Sequence, residues 1–236
     1  MHKKLFSVLL FAILFFNVSA QTLQSMSATN TMAVSQITGV PFRETLNNSD
    51  AVGSPYLFEN WMPGKVSLFN GTTFENVMLK FDALQNKFYF KRNDSTFELP
   101  DDVTEVHLQN TEENNNELDF KKILSAGNRV NLETFVQVLA TGKITLYKEI
   151  SKITEGENYT NGMITSQKKI ISHNSLWTII NNESIPVKLN KHSLEELTDD
   201  KKDAVENFLK SKRLNVKNEK DFTEIIDYYN KISVVK

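Results

Sequence analysis

The 236-residue chain carries 27 basic against 29 acidic side chains and no cysteine. That balance gives none of the concentrated positive field that nucleic-acid binding draws on, and without thiols the chain uses neither disulfides nor cysteine chemistry. Stability must come from packing, and a chain of this length can bury about 70% of its unfolded surface, enough for one sizeable core or a core with a satellite.

Residues 1–20 have a basic start (MHKK), an apolar run from Leu5 to Phe16, and Val18 and Ala20 at small-residue positions ahead of Gln21. The run is shorter than the roughly 20 residues a bilayer-spanning helix takes, so the segment reads as a cleaved secretion signal. No cysteine follows it to carry a lipid. Residues 21–50 are rich in Ser, Thr, Gln and Asn and are expected to form a flexible leader, with an edge strand as the alternative.

Gly53 to Gly71, GSPYLFENWMPGKVSLFNG, concentrates aromatics among prolines and glycines. Ser54-Pro55 favours extended backbone and Pro63-Gly64 is a turn signal, placing Tyr56, Phe58 and Trp61 on an irregular segment that leads into a strand. They are the candidate binding residues, as the wall of a groove; the structural alternative is a plug over the end of a sheet.

From there to about residue 190 the period is two. Val77, Leu79 and Phe81 alternate with Asn76, Met78 and Lys80, and Phe88 and Phe90 with Lys87, Tyr89 and Lys91, the mark of half-buried strands. Asn70-Gly71 is expected to supply the two positive φ angles of a tight hairpin, and weaker hairpins are centred on Thr141-Gly142 and Asn181-Asn182. With no helix signal between strands, the expectation is an antiparallel meander, either an open sheet or a partly closed barrel. Asn110 to Asp119 and Thr154 to Gln167 read as solvated loops.

Residues 191–236 switch to a helical period. Val205, Phe208 and Leu209 form one apolar stripe and Phe222, Ile225, Ile226 and Tyr229 another, predicting a helical hairpin packed on the sheet. Ser193 to Glu196 has the form of a capping box, Asp199 and Asp200 suit a helix start, and Asn218 suits the cap of the final helix.

Chemistry-bearing motifs are sparse. His107, His173 and His192 lie far apart with no metal-ligand spacing, and His107 is expected on the outer face of a strand. Ser166 to Lys169 matches S-x-x-K, yet the residues that follow read as strand where that chemistry needs a helix. No catalytic residue, metal or cofactor is assigned. The GSPYL stretch, the Asn-Gly hairpin, FVQVLATGKITLYKE and the helical end together resemble a group of secreted, uncharacterised proteins of Bacteroidota. The resemblance implies a fold and an envelope or extracellular setting but no activity.

The expectation is therefore an α+β protein: a mainly antiparallel β-rich domain over residues 51–190 and a C-terminal helical hairpin. It is expected to be exported to the periplasm or beyond, without a transmembrane segment in the mature chain, and to act as a non-catalytic binding module for an envelope protein or glycan. The alternative is a hydrolase whose site assembles from distant strands.

Overall fold

The period-two alternation folds as strand along most of its length. The computed structural model describes residues 31–42, 51–111, 116–124, 133–156, 158–160, 163–181 and 183–233; the expected signal segment lies outside them. In chain order the first strands are β1 (Thr31–Met32), β2 (Val40–Pro41), β3 (Ala51–Val52), β4 (Met62–Leu68), β5 (Thr73–Asp82), β6 (Lys87–Arg92), β7 (Ser95–Glu98) and β8 (Val103–Asn110). They are followed by β9 (Asn116–Leu124), β10 (Glu133–Ala140), β11 (Leu146–Glu155), β12 (Asn158–Thr160), β13 (Met163–Ser166), β14 (Lys168–Ile180) and β15 (Glu183–Val187). Three helices close the chain: α1 (Lys191–Leu197), α2 (Lys202–Lys212) and α3 (Glu219–Ser233).

The main sheet runs β15-β14-β11-β10-β9-β8-β4-β5-β6-β7-β2, with two short parallel additions, β1 on β5 and β3 on β14. Two meanders, β4 to β7 and β8 to β15, are joined along the antiparallel β4–β8 pair. The path has two ends, so the sheet is open and does not close into a barrel. It is nevertheless strongly curled. Phe88 on β6 meets Phe120 on β9 edge-on at 5.2 Å and Phe135 on β10 at 5.0 Å, although β5, β4 and β8 lie between β6 and β9 in the sheet. Such rings pack well edge to face, and they fill the inside of the curl together with Val66, Leu79, Phe81, Phe90 and Val106.

A second apolar cluster lies where the helices cover the other part of the sheet. Phe222, Ile225, Ile226 and Tyr229 of α3 pack with Val205 of α2, Leu194 of α1, and Ala140, Leu146 and Val187 of the strands. The two predicted stripes thus pack against each other and against the sheet, that of α3 buried and that of α2 buried at Val205 and half-buried at Phe208 and Leu209. Asn230 docks this unit: its Oδ1 accepts from the Ile144 N–H at 2.9 Å and its Nδ2 donates to the Ile144 carbonyl at 2.8 Å. Gly142 is needed beside it, because a Cβ there would sit 2.5 Å from Asn230 Cγ. Asp200 adds a surface clasp, accepting from Tyr229 Oη at 2.7 Å and from Lys143 at 2.6 Å. Both contacts, the lysine first, hold its carboxyl below the usual aspartate range.

Several local expectations are corrected. At the β4–β5 turn only Gly71 takes positive φ, and Asn70 works through its side chain, whose Oδ1 accepts the Thr72 N–H at 2.9 Å. Pro63-Gly64 is no turn but lies inside β4. Pro63 is paired only toward β5, where its missing N–H is tolerated, and Gly64 lets the His107 carbonyl come closer than any side chain would allow. The acidic loop is shorter than expected, since β9 begins at Asn116 and carries Leu118 and Phe120 to the core side. Thr154 to Gln167 contains the small β12–β13 ladder. Within the expected leader, β1 and β2 pair with the sheet and Ile37 is buried, its carbonyl accepting from Arg92 at 2.9 Å, with Val34 packed beside it on the core. The cap of α1 is Asn190, whose Oδ1 accepts from Ser193 N–H at 2.9 Å, so Ser193 is inside the helix rather than at its cap. Asn218 does cap α3, accepting from Asp221 N–H at 3.0 Å.

Asn230→Ala strands a buried N–H and a buried carbonyl at Ile144 together. It is expected to cost about 2–4 kcal/mol, read as a lower midpoint in denaturant unfolding with little change in slope.

Candidate functional site

The segment from Ser54 to Trp61 crosses the mouth of the curl. Leu57 N–H donates to the Phe81 carbonyl at 2.9 Å, and Ala83 N–H donates to Pro55 at 2.9 Å. Lys152 of β11 completes the attachment. Its backbone N–H donates to Ala83 at 2.9 Å, and its ammonium donates to the Ser54 carbonyl at 2.8 Å and to that of Tyr56. Desolvation pushes the Lys152 ammonium below the ordinary lysine range.

All three sequence-predicted residues are half-buried on this strap, and they do not share one environment. Phe58 packs on the first core cluster. Tyr56 and Trp61 are covered by the chain's own cations: Lys80 Nζ lies 4.2 Å from the Tyr56 ring centre, and Lys91 Nζ 4.9 Å from that of Trp61. Such contacts stabilise exposed sites by about 0.5–1 kcal/mol each, and each occupies one face of its ring. Lys80 is fixed further by donating to the Glu59 carbonyl at 2.6 Å.

A larger concavity lies on the sheet face that turns away from both apolar clusters. It encloses about 600 Å³ over β4, β8, β9, β10 and β11, within the range of small-molecule sites. Its polar lining comes from cross-strand neighbours: Ser67 and Lys65 on β4, Glu105 and His107 on β8, Asp119 and Lys121 on β9. Lys121 pairs with Glu105 at 3.4 Å, and His107 Nδ1 lies 2.6 Å from Asp119 Oδ1. Thr141, Thr145 and Tyr147 close one end. Tyr147 stands directly across from Trp177 on β14, their ring centres 5.0 Å apart, so a half-buried aromatic pair borders the charged floor.

The second nitrogen of His107 faces Glu117 at 3.8 Å. Both ring nitrogens are therefore directed at carboxylates, whereas a catalytic imidazole turns one toward its acid and the other toward a hydroxyl or water. Among the described residues no group of three or more potential ligands is placed to hold a metal. His173 and His192 are exposed, the latter 3.3 Å from Glu196. Ser166 and Lys169 lie on strands, without the helical turn that would bring lysine beside serine.

Sequence reading placed His107 outward correctly but missed the cleft, since its residues come from five strands whose order is set by the β4–β8 pairing. The usable signal was the outward set Glu105, His107, Asp119 and Lys121, alternating with core residues on either side of the acidic loop. Compared with protein-family models, curated proteins and solved structures, the chain matches none. Among the described residues no helix is long and apolar enough to cross a membrane.

Lys152→Met removes the ammonium that holds two strap carbonyls while keeping the aliphatic stem. Hydrogen exchange at the Leu57 and Ala83 amides is expected to accelerate at least tenfold, with the α3 amides unchanged.

Proposed function

We propose that this chain is an exported, non-catalytic binding module that holds a glycan in the cleft on the outer face of its sheet. The supporting observation is the lining of that cleft: a fixed mosaic of cations and carboxylates beside the Tyr147–Trp177 pair. Sugars present hydroxyls, which both donate and accept, and patches of C–H that lie well on aromatic rings. A floor with donors at Lys65 and Lys121, acceptors at Glu105 and Asp119, and an aromatic border meets both demands. Export rests on the basic, apolar and small-residue sections of residues 1–20. The strap, with one face of the Tyr56 ring occupied by Lys80 and one face of the Trp61 ring by Lys91, serves in this reading as a structural closure and not as the ligand's contact.

The His107–Asp119 contact favours one second reading, a hydrolase that uses this imidazole. Glu117 beside the other nitrogen weighs against it, because the base would first have to leave a carboxylate.

The test is titration of the full exported chain against a panel of defined envelope and extracellular glycans, with the recovered glycan weighed by mass spectrometry. Saturable binding is expected, weakened at least tenfold by Tyr147→Ala and by Lys121→Ala, with the glycan returned intact. Cleavage that His107→Ala abolishes would replace the binding reading with the hydrolase, and absence of glycan binding across the panel would overturn it.

A further inference from the structure

The elbow between α1 and α2 leaves a groove of about 280 Å³ on the far side of the molecule's helical unit. Its floor is apolar. Leu194 and Val205 are each 3% exposed, and Leu209, Leu214 and Val216 pack beside them half-buried. The one polar side chain in the floor, Thr198, is satisfied within the elbow, donating its hydroxyl to the Leu194 carbonyl at 2.8 Å. The floor thus asks for no hydrogen bond from an occupant.

The mouth is charged and unbalanced. Lys191, Lys202 and Lys210 stand around it with only Glu195 and Glu206 between them. Glu195 meets Lys191 at 3.6 Å and Lys202 at 3.4 Å, and Glu206 meets Lys191 at 3.5 Å and Lys210 at 3.2 Å. Hydrogen bonding to Lys210, with its charge and that of Lys191, holds the Glu206 carboxyl below the usual range. It therefore stays ionised near neutrality. One positive charge is left over at the rim of an apolar slot, and the lysine side chains, 51–67% exposed, are long enough to turn toward a new partner.

We propose that this groove binds a medium-chain carboxylate, its single acyl chain on the Leu194–Val205–Leu209 floor and its head group among Lys191, Lys202 and Lys210. The volume, about 280 Å³, lies just below the range of drug-sized sites, which begins at roughly 300 Å³; it suits one chain and excludes a lipid with two. The excess rim charge selects a monoanion over a neutral or cationic amphiphile of the same length. This site is separate from the outer-face cleft, and its occupancy does not depend on the glycan reading.

The test is calorimetric titration of the full chain with dodecanoate below its micelle concentration, beside dodecyltrimethylammonium and dodecanol at matched concentrations. One saturable site for dodecanoate is expected, with the cation and the alcohol at least tenfold weaker. Leu209→Trp fills the slot and is expected to remove binding. Because a core-facing tryptophan can also disturb the fold, the half-buried rim pair Glu195→Gln and Glu206→Gln supplies a second arm, expected to tighten dodecanoate at least threefold by raising the rim charge. Equal binding of the three amphiphiles, binding untouched by either variant, or no saturable binding would each overturn the proposal.

Discussion

The curl of the sheet is held by one short length of backbone, Ser54 to Leu57, caught between the end of β5 and β11. Hydrogen bonds run from Leu57 to Phe81, from Ala83 to Pro55 and from Lys152 to Ala83, and the Lys152 ammonium then reaches back to Ser54 and Tyr56. Asp82, 2% exposed at the hinge of this arrangement, accepts the Leu84 and Gln85 N–H groups at 2.9 Å each and so shapes the turn into β6. Asn86 in that turn exchanges hydrogen bonds with the Phe135 backbone at 2.7 and 2.9 Å. Two regions distant in the sheet are thereby brought together. An open sheet twists by itself, but twist alone does not place β6 against β9 and β10; these polar contacts set the distance that the phenylalanine rings then fill.

That curvature distributes the two faces unequally. On the inner face the first strands enclose their own core, while β10, β11, β14 and β15 present apolar side chains that the curl leaves uncovered and α1 to α3 must cover. The helices are in this sense a second lid, docked through Asn230 and the apolar stripe of α3. The outer face carries no helix over the cleft, where charged side chains are paired across strands, although Tyr89 and Val136 on that face are buried. A concavity there can stay open at no cost in buried polar groups.

Much of this was legible in the chain. The alternation at Val77–Phe81 and Phe88–Phe90, and the helical stripes ending in Ile226 and Tyr229, are periodic signals that depend only on which side is buried. Turn geometry was less legible. Asn86, Asn93 and Asn181 adopt left-handed backbone in turns, and Asn76 does so at an irregularity within β5, while Asn70, the asparagine expected to do so beside Gly71, does not. Asparagine is tolerated there through local hydrogen bonding, and in an asparagine-rich chain composition gives little guidance as to which one is used. Pro63-Gly64 misled for a related reason: both residues favour turns in isolation, and it is pairing with β5, and for Gly64 also with β8 some forty positions away, that keeps them in a strand. The cleft was the least legible feature, since a concavity spread over five strands exists only once strand order is known.

The absence of cysteine bears on the same architecture. Disulfides are one way to tie distant segments of a chain, and here the ties are hydrogen-bonded side chains: Lys152 to Ser54, Asn230 to Ile144, Asn86 to Phe135, at separations of 98, 86 and 49 residues. Each joins a side chain to backbone groups that burial would otherwise leave unpaired, so the contact is enforced by the cost of breaking it more than by its own strength. Unlike a disulfide, such a tie leaves the unfolded chain unconstrained and forms only once the surrounding apolar cluster has excluded water. Phe81, Phe88 and Phe135 in the curl, and Ile225 and Ile226 under the helices, therefore come first in the energetic order, and the polar ties decide which curl and which docking angle those clusters settle into.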